Sequence, residues 1–145
     1  MNHPAILETV EALGEVSLIA DPAQIVDLCT YLKGREKFIR LSTITAVDWY
    51  PAEPRFEVVY HLHSIEKNQY LRVKCRLPGQ HPEIDSATGV WRAANWYERE
   101  TYDMYGINFR NHPNLIRILM PLDWEGFPLR KDYPVHGNKY GYGNE

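Results

Sequence analysis

Hydrophobic positions recur along this chain with two different periods. In residues 3–13 (HPAILETVEAL), Ile6, Leu7, Val10 and Leu13 fall at i, i+1, i+4 and i+7. That spacing predicts a short helix stopped by Gly14. Residues 15–20 then alternate Val16, Leu18 and Ala20 against Glu15, Ser17 and Ile19, the pattern of a half-buried strand. Asp21-Pro22-Ala23-Gln24 is a helix start: Asp21 caps, Pro22 suits the first helical position, and Gln24 sits where a capping-box partner reaches back. The helix is predicted to run to Lys33, with Ile25, Leu28, Cys29 and Leu32 on one face and Gly34 as the stop. Cys29 is then a small core hydrophobe.

Period two returns downstream. Residues 37–49 are rich in β-branched side chains, and Pro51 and Pro54 end that run. Phe56, Val58, Tyr60 and Leu62 share one face of the next segment; Arg55, Glu57, His61 and His63 share the other. Over 69–77, Leu71, Val73, Cys75 and Leu77 alternate with Tyr70, Arg72, Lys74 and Arg76. Glu66-Lys67-Asn68 makes the turn of a β-hairpin with one dry and one wet face, where Glu57 can meet Arg76 or Lys74. Pro78-Gly79 closes it. Ser86 or Thr88 is expected to cap a helix over 91–105, ended by Gly106.

The predicted order is α-β-α-β-β-β-α followed by an extended tail. This is an α+β fold in two layers, helices packed on a mostly antiparallel sheet. Residues 1–110 form that domain, and 111–145 form an extended C-terminal arm suited to docking on another subunit. The arm carries Pro113, Pro121, Pro128 and Pro134, and proline presets an extended path. Trp124, Phe127, Leu129 and Tyr133 are apolar cargo that a disordered tail rarely carries, so Pro121–Val135 is suited to lying along a surface. Gly137–Glu145 is expected to be loose.

Composition narrows the chemistry. A chain of 145 residues suits one domain. Sixteen Lys+Arg against 19 Asp+Glu leave a net charge of -3, which provides no global attraction for nucleic acid. Cys29 and Cys75 form no CxxC pair, and two thiols cannot hold an iron–sulfur cluster alone. No apolar run approaches a membrane span, and the first residues do not read as a secretory leader, so a reduced cytosolic setting is expected. No GxGxxG, GxxxxGK[ST], HExxH or GxSxG occurs. His61-x-His63 puts two imidazoles on one strand face without an evident third ligand. Arg72, Lys74 and Arg76 form a basic stripe that reads as paired or subunit-facing. Aromatic residues make up 12% of the chain, and tyrosine and tryptophan favour half-wet interfaces.

The helix at 91–105 is unusual. At 100° per residue, Trp91, Ala94, Asn95, Glu98, Tyr102 and Tyr105 share one mostly apolar face. Arg92, Arg99, Glu100 and Asp103 form the opposite sector, with Trp96 in its middle and Arg99 and Asp103 spaced to pair. Glu98 is either the buried partner of a downstream arginine, Arg117 or Arg130, or an acid/base group with a raised pKa. On the first reading, Glu98→Gln costs about 3 kcal/mol or more. Trp96 either packs under the tail or anchors a partner chain.

ERETYDMYGINFRNHPNLIRIL at 98–119, followed by EGFPLRKDYPV at 125–135, closely resembles the signature of the C subunit of bacterial proton-pumping NADH–quinone oxidoreductase, respiratory complex I. The match includes Glu98, Arg99, Glu100, Asp103, His112, Arg117 and the run Leu129-Arg130-Lys131-Asp132-Tyr133. The resemblance implies a non-catalytic structural subunit without cofactor or metal, in the peripheral arm of the complex on the cytoplasmic side of the cell membrane. It implies packing on the large D subunit and proximity to the B subunit, in support of electron transfer from NADH to quinone coupled to proton translocation. With Trp96, these residues are the expected signature and interface set. Two alternatives stay open: the equivalent subunit of a related membrane-bound hydrogenase or oxidoreductase, and a freestanding acid/base enzyme using Glu98 or His112.

Overall fold

The computed structural model describes residues 1–134 of the 145 in the chain. The expectation for Gly137–Glu145, and the end of Pro121–Val135, lie outside the described residues. Strands β1 (Ile6–Ala12), β2 (Glu15–Ala20), β3 (Arg40–Asp48), β4 (Phe56–Ser64) and β5 (Gln69–Leu77) form a sheet in the order β1-β2-β5-β4-β3. All neighbours are antiparallel except β2 and β5. Helix α1 (Ile25–Gly34) and helix α2 (Ala94–Tyr105) complete an α+β domain. A small parallel pair, β6 (Glu83–Asp85) and β7 (Asn108–Arg110), flanks α2 in sequence. These last strands are three residues each, too short for periodicity to mark.

The first element departs from the sequence expectation: residues 6–12 are a strand, not a helix. Leu13 and Gly14 both have positive φ, 53° and 78°, as a two-residue type I′ hairpin turn requires. Ala12 therefore pairs with Glu15, and β1 folds back on β2. A helix here would have needed a core for its apolar stripe, yet Leu7, Val10 and Leu13 are exposed. Gly14 terminates no helix; it completes the turn.

Helix α1 obeys local chemistry closely. Asp21 accepts a hydrogen bond from the Ala23 amide at 3.0 Å, and Pro22 opens a single 3-10 turn before Ile25. Gln24 reaches back to the Asp21 carboxylate itself, at 3.2 Å, rather than to its amide. Ile25, Leu28, Cys29 and Leu32 are buried, the face the periodicity marks. They meet Leu18, Phe56, Val58, Tyr60, Leu62, Val73 and Cys75 in one core. Burial pushes the Cys75 thiol up to about 12 and that of Cys29 well above its usual value, which keeps both unreactive.

The hairpin has the expected pairing, with Glu57 opposite Arg76 and Val58 opposite Cys75. Its outer face is drier than alternation implies. Arg55 and Glu57 are buried, and so is Val59 on the same side. Arg76 does not pair with Glu57; its Nε donates to the Pro54 carbonyl at 3.0 Å.

Candidate functional site

Helix α2 organises the chemistry-bearing residues because it is buried on two opposite sides. Ala94, Glu98 and Thr101 lie against the sheet, and Thr101 Oγ1 donates to the Ile44 carbonyl at 3.2 Å. Asp103 lies about 180° around the helix from Ala94 and is nonetheless fully buried. The arm is its cover. Residues 111–134, which contain no helix or strand, cross the outer side of α2.

Asp103 is the centre of that contact. One carboxylate oxygen takes Arg117 Nε; the other takes the amides of Ile118 (3.1 Å), Leu119 (2.6 Å) and Met120 (2.9 Å). Burial raises the pKa of this carboxyl, but the Arg117 and amide donors outweigh it and hold it below the usual range. Arg117 also donates to the carbonyls of Trp124 (2.8 Å) and Gly126 (2.9 Å). The expected surface pair between Arg99 and Asp103 is absent, since the arm claims Asp103.

A second clamp holds the next part of the arm. Arg55 is bidentate to Asp48, with both bonds at 2.8 Å, and reaches Asp132 at 2.7 Å. The Lys131 amide donates to Asp48 at 2.8 Å. Asp48 is held well below the usual carboxylate range, chiefly by the Arg55 guanidinium beside it. Arg130 donates to the Tyr105 carbonyl at 2.6 Å, its guanidinium near the rings of Phe56 and Phe127. The Leu129 amide bonds the Met104 carbonyl at 3.1 Å.

Gly106 is where helix end and arm meet. Its φ of 77° is the left-handed C-terminal conformation, and a Cβ there would stand 2.6 Å from Phe127 and 2.7 Å from Arg130. Gly106→Ala is expected to cost at least about 1 kcal/mol through backbone strain alone, with further loss as Phe127 is displaced. Thermal unfolding reads the first effect, and faster proteolysis between 117 and 130 reads the second.

Glu98 corrects the sequence expectation. Neither Arg117 nor Arg130 meets it. The fully buried carboxylate accepts from Ser86 Oγ at 2.6 Å and from the Ala87 amide at 2.7 Å. Ser86 therefore does not cap α2; it faces Glu98, with Thr88 Oγ1 2.8 Å from its hydroxyl. No side chain caps the helix at Ala93. Burial pushes the Glu98 carboxyl up to about 7, partly offset by its two donors.

The other expected residues are spread over the outer side of the domain and the arm. His112 Nδ1 accepts from the Asn114 amide at 2.9 Å, so its Nε2–H donates to the Asn95 carbonyl at 3.1 Å. His112 is thus a loop staple, and no described contact joins it to Glu98. Trp96 does not pack under the arm; it is 52% exposed, with the Arg99 guanidinium 5.9 Å from its ring. Arg99 also reaches the Ile116 carbonyl at 3.4 Å, and Glu100 is half-buried. Tyr133 closes a turn on the Arg130 carbonyl at 3.0 Å. His63 stacks on Tyr70 at 4.3 Å. Among the described residues no cluster of His, Cys, Asp or Glu has the makings of a metal site, and no helix is long and apolar enough to cross a membrane. Sequence reasoning gave no role to Asp48 or Ala87, a capping role to Ser86 and a wet strand face to Arg55, because the partners that decide their roles lie outside any local pattern.

Comparison with known proteins is consistent with this geometry. Residues 18–139 match the model of the family described as respiratory-chain NADH dehydrogenase, 30 kDa subunit. The C 2 subunit of NADH-quinone oxidoreductase from Rhizobium etli is 49% identical, over 96% of this chain and 79% of its own length. The C subunit from Citrifermentans bemidjiense is 48% identical, over 92% of this chain and 83% of its own. The solved trypsin-resistant fragment of Nqo5 superposes with a TM-score of 0.67 at 29% identity, covering 72% of this chain and 86% of that one. A chain of the membrane-bound sulfane sulfur reductase, an archaeal respiratory membrane complex, gives 0.75 at 28% identity, covering 91% and 79%.

Proposed function

Since this chain belongs to the family of the 30 kDa subunit of respiratory-chain NADH dehydrogenase, the C subunit of NADH-quinone oxidoreductase, we propose that it is a non-catalytic structural member of that complex. It works within a multisubunit respiratory assembly. In this reading it sits in the peripheral arm of the complex on the cytoplasmic side of the membrane, grips the D subunit and lies close to the B subunit. It thereby braces the region where electrons from NADH reach quinone and proton translocation is driven. Relatives near half identity carry the NADH-quinone name, whereas the likeness to the sulfane sulfur reductase chain is 28%. That difference favours NADH as the donor.

One observation carries the docking role. On the side of α2 away from the sheet, Trp96 is exposed, and the clamped arm holds Ile116, Leu119, Leu122 and Leu129 outward, Leu122 at 78% exposure. A loop kept in one conformation by the buried Arg117–Asp103 pair, and by Asp132 and the Lys131 amide on the Arg55–Asp48 clamp, presents these side chains without the ordering cost a floppy tail would incur on binding. An aromatic anchor with a flanking arginine is the composition of an interface centre. The acid/base reading has less support, because Glu98 and His112 are both engaged in internal hydrogen bonds.

The test is co-purification. Trp96→Ala combined with Arg99→Ala is expected to reduce the share of this chain in the isolated complex by roughly 30-fold, as loss of an anchor of about 2 kcal/mol would. The melting transition of the isolated domain is expected to stay within a few degrees of the parent. Retention of the double variant at the parental level removes α2 from the interface.

A further inference from the structure

The five-stranded sheet ends differently at its two sides. Its β3 edge lies against α2, whose Thr101 Oγ1 donates to the Ile44 carbonyl. Its β1 edge has no neighbour among the described residues. An uncovered edge presents a row of unpaired N–H and C=O groups, which natural sheets usually cover or blunt.

The turn at Leu13-Gly14 fixes which groups these are. In a two-residue hairpin the residues flanking the turn exchange both their bonds, and from there bonded and non-bonded pairs alternate. Ala12 with Glu15, Val10 with Ser17 and Glu8 with Ile19 are therefore the bonded pairs. Thr9 and Glu11, opposite Leu18 and Val16, direct their N–H and C=O outward. Outward residues recur about every 7 Å, the repeat at which a further antiparallel strand offers its own groups. Thr9 and Glu11 also line a cleft of about 680 Å³, with buried Phe38, Leu62 and Leu71 as its apolar floor beside Val16.

Charge along this edge is one-sided. Residues 1–15 hold no Lys or Arg. The arginine on the cleft, Arg72, is taken by Glu15. Lys74 stands two strands from Glu8, beyond Ile19. Glu11 is in no ion pair among the described residues.

We infer that the β1 edge is completed in the complex by an extended segment of another subunit, which adds as a sixth strand, lays an apolar side chain over the cleft and sets a Lys or Arg against Glu11. The main-chain row selects this occupant, because only an extended backbone supplies donors and acceptors at that repeat, while the cleft reads one of its side chains. Carboxylates at the edge deter neutral and acidic strands. They also disfavour a second copy, since β1 against β1 would bring Glu8 and Glu11 of both chains to one seam without a cation. The inference rests on membership of a multisubunit complex, and it gives the chain a contact at the end of the sheet opposite α2.

The experiment compares amide hydrogen exchange in the full chain alone and in the native complex, read residue by residue. The Thr9 and Glu11 amides are expected to exchange readily in the chain alone and roughly 100-fold more slowly in the complex, whereas the Val10 amide, bonded to β2, is protected in both. Thr9→Pro removes a donor that the hairpin itself does not use, and is expected to cut retention of this chain in the complex roughly tenfold. Glu11→Lys leaves the backbone untouched and is expected to cut it similarly, with the melting transition within a few degrees of the parent, so the test stands even if the proline disturbs the hairpin. Unchanged exchange at Thr9 and Glu11 in the complex, or parental retention of Glu11→Lys, overturns the inference. If those amides become protected in the chain alone as its concentration rises, and sedimentation reads a dimer, the occupant is a second copy and the inference fails. In each of these cases the membership reading survives as long as the parent chain co-purifies with other subunits; if it does not, that reading falls and this inference with it.

Discussion

Asp103→Asn is expected to lower the melting temperature by roughly 10–15 °C, corresponding to about 3–5 kcal/mol. The carboxylate is fully buried and takes Arg117 together with three consecutive amides. An asparagine offers one neutral oxygen to that donor set and turns an NH2 toward donors. Arg117 is then left as a largely buried charge without its counter-ion, which is the costly way to break such a pair. The loss is predicted to be local first. Residues 117–126 should become cleavable at protease levels that spare the parent, because the Arg117 bonds to Trp124 and Gly126 close that loop. Arg117→Lys is expected to recover little, since one ammonium cannot span Asp103 and two separate carbonyls. An unchanged melting point for Asp103→Asn would mean that the arm contributes nothing to the fold.

The second large effect depends on pH. Glu98 has an ordinary carboxyl pKa in the unfolded chain and one of about 7 in the folded protein. Below the unfolded value it is protonated in both states, and its contribution to stability is fully present. Between the two values only the unfolded chain releases the proton, so stability falls as pH rises, by about 3 kcal/mol over the interval. Above pH 7 the loss is complete. Glu98→Gln mimics the protonated acid: its oxygen accepts the Ala87 amide, its NH2 donates to Ser86 Oγ, and the Ser86 proton turns to Thr88 Oγ1. The variant is expected to match the parent near pH 4.5 and to exceed its stability by about 2–3 kcal/mol at pH 8. Melting curves across that range read it directly. This reverses the sequence-based expectation, in which a glutamine would strand an arginine. A variant destabilised equally at both pH values would show that Glu98 works as a permanent anion.

The difference between these carboxylates explains what was legible in the sequence. The wheel of 91–105 marks Glu98 as buried, and it is. The same wheel puts Asp103 in a charged solvent sector, because helical periodicity knows only one core. A second layer formed by the arm cannot be read from spacing within α2. Likewise, Arg117 was recognisable as an arginine in need of a carboxylate, but which carboxylate depends on how the chain returns. Arg55 draws Asp48 from 7 positions away and Asp132 from 77, and no local pattern joins the three.

Short-range rules were sufficient elsewhere. Cap, proline and stripe set α1 within a residue of its observed end, and alternation set the pairing of β4 with β5. They failed at residues 6–12, where a few apolar positions fit either period and the decision lay in the Leu13-Gly14 turn. By itself, then, the chain's pattern determined the two-layer α+β class, the face of α1, the hairpin register and the signature that marks its family. Tertiary structure alone decided the partners of Glu98 and Asp103, the clamp around Arg55, and the docking of the arm. The physical reason is range. Propensity and periodicity act over a turn of helix or a pair of strands, whereas a buried charge selects its partner from whatever the finished fold brings within hydrogen-bonding distance.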